Sequence, residues 1–246
     1  MKKSILTVAL GVLVTGFAFA QQEETRSLNS FSKVTAHEAV NVYLKKGDKE
    51  EARVVSRSED LEDVLTEVSG GRLKVHLEGN NHRNVDVDVY VTYVSLNAIG
   101  ASSAASIKSE GTIETNGDFD VDVSSAGDVI ASIKADDLEI DASSAGDAKL
   151  EVNVKSIDAE VSSAGDVEIS GTATEQDISA SSSGDYDGYD LESEEVEASA
   201  SSGGSVRINV SSKLDARASS GGSVRYKGSP KYLDANSSSG GSVRKS

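Results

Sequence analysis

The 246-residue chain carries 41 acidic against 24 basic side chains, a formal net charge of −17, no cysteine, no tryptophan and only 4% aromatics. Without cysteine there can be no disulfide, thiolate metal site or lipid-modified N-terminal Cys, and so few aromatics would leave a conventional globular core thin. Residues 101–200 hold 25 acids and 4 bases, which argues against nucleic acid as a partner because phosphate binding needs clustered Lys and Arg.

In chain order, Lys2 and Lys3, the apolar run from Ile5 to Phe17 and the triplet Ala18-Phe19-Ala20 read as a secretory signal peptide over residues 1–20. The run is too short for a stable bilayer span, so the mature chain is expected to start near Gln21 with no transmembrane segment. Its expected address is the periplasm or the cell surface. Residues 21–27 read as a short linker. Residues 28–100 read as a mostly β region that caps a β-helix or begins its first coils. Within it, "VNVYLKKGD" and "EARVVS" predict a hairpin around Gly47-Asp48. "SEDLEDVLTEV" predicts a short helix with Ser58 as N-cap, and "RLKVHL" and "VDVDVYVTYV" predict strands.

From residue 101 a short word repeats. "SSAGD" stands at Ser124, Ser143 and Ser162, "SSSGD" at Ser181 and "SSGGS" at Ser201, Ser219 and Ser238, with a degenerate "SSAAS" at Ser102. The intervals are 22, 19, 19, 19, 20, 18 and 19 residues, the signature of a solenoid. The sixth position of each unit is mostly apolar (Val129, Val167, Val206, Val224, Val243) and the seventh mostly charged (Lys149, Glu168, Asp187, Arg207, Arg225, Arg244). Because successive side chains of a strand face opposite ways, the sixth position should enter a core and the seventh face water. A second alternating run, such as Leu138/Ile140/Ala142 or Ile157/Ala159/Val161, completes each unit. Such units are too short for two strands and a crossover helix, so the fold class is all-β, a parallel β-helix with one coil per repeat. Eight coils stacked at the interstrand spacing make a rod of about 35 Å. The word itself is expected to be a corner, with Gly127, Gly146, Gly165 and Gly184 supplying φ > 0. The last coil, at "GGSVRKS", is expected to leave an exposed end for homo-oligomeric association.

"FSKVTAHEAVNVYLKKGD", "LEDVLTEVSGGRLKVHLEG", "VDVYVTYVSLNAIGASSAASI" and the recurring corner words together resemble the putative auto-transporter adhesin family with the head GIN domain, a family of secreted Gram-negative proteins. The resemblance spans nearly all of the mature chain. It implies a single-stranded right-handed parallel β-helix, export and an adhesive or surface-binding role, and it brings no catalytic motif.

Three groups of residues are candidate sites. The corner acids Asp128, Asp147, Asp166 and Asp185 should stack about 5 Å apart, where a bridging Ca²⁺ would relieve their repulsion. The nine-residue calcium repeat is absent, however, and turn aspartates commonly accept local hydrogen bonds, so solvated turns and no metal site are expected. Arg207, Arg225 and Arg244, supported by Lys227, should form a cationic stripe able to grip carboxylates or phosphates of an anionic glycan or other envelope component. The alternative is a solvated strand face. Tyr186, Tyr189, Tyr226 and Tyr232 could stack on sugars, although Tyr186 falls in the core column. No cofactor is indicated. Catalysis has little support, because no His or Cys follows residue 82 and the repeats leave no room for the long loops that build clefts in β-helix polysaccharide enzymes. The functional expectation is therefore a non-enzymatic exported adhesion or binding module, with an envelope scaffold and a polysaccharide-active enzyme as alternatives.

Overall fold

The computed structural model describes residues 21–79 and 82–246; the signal-peptide reading of residues 1–20 lies outside them. The described residues contain no helix and form a β-solenoid of twenty strands. The strands are β1 (Gln22–Ser27), β2 (Lys33–Ala36), β3 (Asn41–Lys46), β4 (Glu51–Ser56), β5 (Val64–Ser69), β6 (Arg72–Leu77), β7 (Val87–Tyr93), β8 (Ala98–Ala101), β9 (Ser106–Glu114) and β10 (Asp118–Val123). They continue as β11 (Asp128–Lys134), β12 (Asp137–Ala142), β13 (Asp147–Asn153), β14 (Ser156–Val161), β15 (Asp166–Ala180), β16 (Asp185–Ala200), β17 (Ser205–Ala218), β18 (Ser223–Gly228), β19 (Tyr232–Ser237) and β20 (Ser242–Lys245).

Each repeat contributes one strand to each of two faces. Strands after a corner (β9, β11, β13 and the first halves of β15–β17, then β18 and β20) pair in parallel on one face. Strands before a corner (β2, β8, β10, β12, β14, the second halves of β15–β17, then β19) pair in parallel on the other. Inward residues alternate with outward ones as the sequence requires. Val129, Val167 and Val206 are fully buried opposite Leu138, Ile140 and Ala159, giving one narrow continuous core of mostly Val, Ile, Leu and Ala.

The corners differ from the sequence-based expectation in an instructive way. In "SSAGD" the positive-φ residues are the second Ser and the Ala, Ser163 at 50° and Ala164 at 59°, while Gly165 does not have positive φ. The Gly165 N–H donates to Ser162 O at 2.8 Å, so the word is a tight turn with both central residues left-handed, the type I′ pattern. Gly165 is required for a different reason: a Cβ there would lie 2.5 Å from Ala142 O of the preceding coil. Close stacking, not backbone freedom, excludes a side chain. The left-handed Ser and Ala cost on the order of 1 kcal/mol each, offset by corner-to-corner bonds such as Ala164 N–H to Ser182 O at 3.2 Å and Asp166 N–H to Gly146 O at 2.9 Å.

The N-terminal region holds an additional coil. "AHEAVNV" forms a ninth corner, with Glu38 and Ala39 at φ of 62° and 59° and the Ala39 N–H donating to Ser103 O at 2.9 Å. Strands β2 and β3 flank this corner and lie in parallel register against β8 and β9. The chain then doubles back, and β6 and β7 pair in parallel on the far edges of β2 and β3. This overturns three local expectations. No hairpin joins β3 to β4, because both edges of β3 are taken by β7 and β9; β4 pairs antiparallel to β7 instead. Residues after Ser58 make a turn and not a helix. Ser58 Oγ accepts the Asp86 N–H at 2.8 Å, and the chain enters the β5–β6 hairpin, which buries Val64 completely and reverses at Gly70-Gly71, both with positive φ. Residues 22–27 are not a linker but strand β1, antiparallel to β4, where they cover an edge that would otherwise expose unpaired backbone groups. At the other end β19 is exposed along its length, with Tyr232 at 70% and Leu233 at 50% exposure.

Candidate functional site

With one strand per coil on each face, residues a repeat apart fall into register and outward side chains become straight columns. The longest unbroken acidic column runs Asp120, Glu139, Asp158, Asp177, Glu197, Asp215 and Asp234 on the pre-corner face. A parallel column begins Asp122, Asp141, Glu160. Like charges about 4.8 Å apart along a sheet repel. Partial burial, reinforced by neighbouring carboxylates of the ladder, holds the carboxyls of Glu139, Asp141 and Asp177 above their ordinary range. The sequence reading followed the corner acids and passed over this ladder. Its signal lay in the outward positions of the second alternating run, as in "DFDVDV" and "DLEIDA".

The corner column Asp128–Asp147–Asp166–Asp185 is also in register. Its ends are satisfied by hydrogen bonds: Ser106 Oγ donates to Asp128 at 3.2 Å and the Arg207 guanidinium to Asp185 at 2.9 Å. Burial, and then the adjacent aspartates, raise the carboxyls of Asp147 and Asp166. Among the described residues no three His, Asp or Glu side chains converge in a way that could hold a metal ion.

The arginine column forms as read, with Arg207, Arg225 and Arg244 on consecutive strands β17, β18 and β20. The three are not equivalent. Arg207 is half-buried and clamped by Asp185 at 2.9 Å and Asp187 at 3.2 Å. Arg225 and Arg244 are exposed and make no ion pair among the described residues. Lys227, two residues along β18 from Arg225 and so on its side of the sheet, lies 3.6 Å from Asp190 and 5.4 Å from the centre of the Tyr189 ring. Within the arginine column, the charge left without an ion pair among the described residues is therefore at Arg225 and Arg244.

No sugar-stacking platform assembles from the four tyrosines. Tyr186 is fully buried, and its hydroxyl donates to Gln176 Oε1 at 2.6 Å while Gln176 Nε2 donates to the Ser193 hydroxyl. Burial pushes the Tyr186 hydroxyl far up its titration range. Tyr226 is also buried, and only Tyr232 is widely exposed. Of the histidines, His82 meets Glu59 at 3.2 Å and His76 meets Glu67 at 3.2 Å. His37 lies 2.7 Å from Ser102 Oγ with no carboxylate hydrogen-bonded to its other ring nitrogen among the described residues.

Three crystal structures share this architecture. A putative adhesin from Parabacteroides merdae superposes with a TM-score of 0.84 at 16% identity, covering 92% of this chain and 96% of its own. A putative adhesin from Parabacteroides distasonis gives 0.81 at 18% identity, with 92% and 97% coverage. A putative lipid binding protein from the same species gives 0.79 at 18% identity, with 92% and 96% coverage. Among curated proteins the sequence finds no match. The family described as "Putative auto-transporter adhesin, head GIN domain" matches residues 30–230. That match covers most of the chain, and the protein belongs to this putative adhesin family.

Proposed function

We propose that the protein is an exported, non-enzymatic adhesion module that holds an anionic polymer of the cell envelope on the outer arginine steps of its rod. The observation that carries this reading is the pair Arg225 and Arg244, in register on adjacent strands β18 and β20, exposed and without carboxylate partners among the described residues. Two guanidinium forks one strand spacing apart suit successive carboxylates or phosphates along a chain. Arg207, already held by Asp185 and Asp187, and Lys227, 3.6 Å from Asp190, contribute less. Membership of an adhesin family and coils free of long loops favour binding over catalysis. Export rests on the signal peptide read at residues 1–20, and no helix among the described residues is long and apolar enough to cross a membrane.

The test is retention of the mature protein on an immobilised acidic glycan across a salt gradient. Changing Arg225 and Arg244 together to Glu should abolish retention, whereas Arg207→Glu should lower it only modestly. Equal retention of the double variant and the parent overturns the proposal. Release of reducing ends or unsaturated products from a glycan panel would instead support an enzyme.

A further inference from the structure

The pre-corner face changes sign along the rod, and it does so across a bare strand. In the first row across this face Arg72 on β6 and Lys33 on β2 precede Ala98 on β8, and Asp120 and Glu139 follow it. In the next row Lys74 and Thr35 precede Gly100, and Asp122 and Asp141 follow it. At every other strand from β10 to β17 the column containing Asp120 carries an acid; only β8 puts Ala and Gly at these outward positions. The bare strand is the floor of a trough of about 510 Å³, walled by cations on one side and carboxylates on the other.

One ion pair joins the two walls, and the other charges stay apart. Lys33 reaches across Ala98 to Asp120 at 3.2 Å and closes one end, and His37, 2.7 Å from Ser102 Oγ, bounds the other. Between them Arg72, Lys74, Asp122, Glu139 and Asp141 make no ion pair among the described residues. Directly adjacent columns of opposite sign would neutralise one another, as Arg217 does with Glu197 at 2.8 Å on the same face. Here β2 and β8 lie between them and keep the backbone of Arg72 and Lys74 on β6 about three interstrand spacings, ~14 Å, from that of Asp122 on β10. A ligand that spans this gap must itself carry both signs.

We infer that this trough binds a small zwitterionic group, a phosphate or carboxylate set against Lys74 and Arg72 and joined to a primary ammonium set against Asp122 and Asp141. Lysine and arginine receive the anion through charge-assisted hydrogen bonds, and the two aspartates accept the N–H donors of the ammonium. The site is independent of the arginine stripe, lying on the other face and near the opposite end of the rod.

Titration calorimetry of the mature protein with O-phosphoethanolamine tests this. Saturable binding is expected, at least tenfold tighter than for inorganic phosphate or ethylammonium alone, and weaker for phosphocholine, whose quaternary nitrogen has no N–H to donate. Lys74→Glu and Asp122→Asn, the first at a half-buried and the second at an exposed outward position, should each weaken binding at least tenfold without lowering the melting temperature. Sedimentation with phosphatidylethanolamine vesicles, against phosphatidylcholine vesicles, distinguishes the source: a membrane headgroup if the former pull the protein down, a soluble zwitterion if only the free compound binds. Absence of saturable phosphoethanolamine binding, affinity equal to that for phosphate alone, or insensitivity to both substitutions overturns the proposal.

Discussion

Substituting Ala for Gly165 separates two accounts of the corner word. If the glycine were present for backbone freedom, it would need positive φ; the positive φ values lie instead at Ser163 and Ala164. A Cβ on Gly165 would meet Ala142 O at 2.5 Å, Ala142 C at 2.7 Å and Ser143 N at 3.0 Å. All three are backbone atoms, so no side chain can swing aside. Restoring ordinary contact requires the corner to rise by about 1 Å, while the coils are clamped by Ser162 N–H to Ala142 O and Asp166 N–H to Gly146 O, both 2.9 Å. Stretching both bonds beyond useful range forfeits about 1 kcal/mol each, and residual overpacking adds about 1 kcal/mol. The expected loss is about 3 kcal/mol, or roughly 6–12 °C in melting temperature for a chain of this size. Urea and thermal unfolding followed by circular dichroism would measure it. Ala164→Gly is the control, because it relieves a left-handed residue without adding atoms and should be neutral or slightly stabilising. A Gly165→Ala loss below about 0.5 kcal/mol, well short of the overpacking range, would refute the close-approach argument, as would a larger loss from Ala164→Gly.

Two further outcomes follow from the interior and from the acid ladder. Tyr186→Phe should leave Gln176 Oε1 buried without a donor and cost about 1–3 kcal/mol; an unfolding midpoint equal to the parent's would show that the Tyr–Gln–Ser chain does not stabilise the core. Asp177→Asn removes one charge from a column in which burial, then Glu197 and Asp158, raise the Asp177 carboxyl. Its folded pKa lies above its unfolded value, so the charged form opposes folding at neutral pH and the penalty disappears as pH falls through the folded pKa. The variant should melt roughly 1 °C higher at pH 7 and low salt, a small gain because the group is solvent-screened, and should match the parent in acid or high salt. A lower melting temperature at pH 7 would contradict the repulsion argument.

The Tyr186–Gln176 pair also marks how far a sequence reading reaches. Gln176 stands in register with Ile157 and Val196, and Tyr186 with Val167 and Val206; each is the odd member of an apolar column. Two such exceptions ten residues apart were a legible hint of a buried hydrogen bond. Only the packing of the two faces brings the hydroxyl to the amide.

What the sequence determined by itself was everything carried by local periodicity: the coil length, the corner words, the apolar sixth position and the registered arginines. In a solenoid each strand pairs with its copy one repeat away, so a period in the chain is also a distance in space. Where the period lapses, that translation fails. The tertiary structure alone decided that "AHEAVNV" is a corner, that β7 separates β3 from β4, and that β1 covers β4. Those pairings compete for the same strand edges, and no local pattern ranks them. It also decided why the glycines are there, since the atoms that exclude a Cβ belong to the neighbouring coil. By the same logic it laid Ala98 and Gly100 between cations and acids supplied by strands far apart in the chain, making a bipolar trough from residues that look unremarkable in sequence.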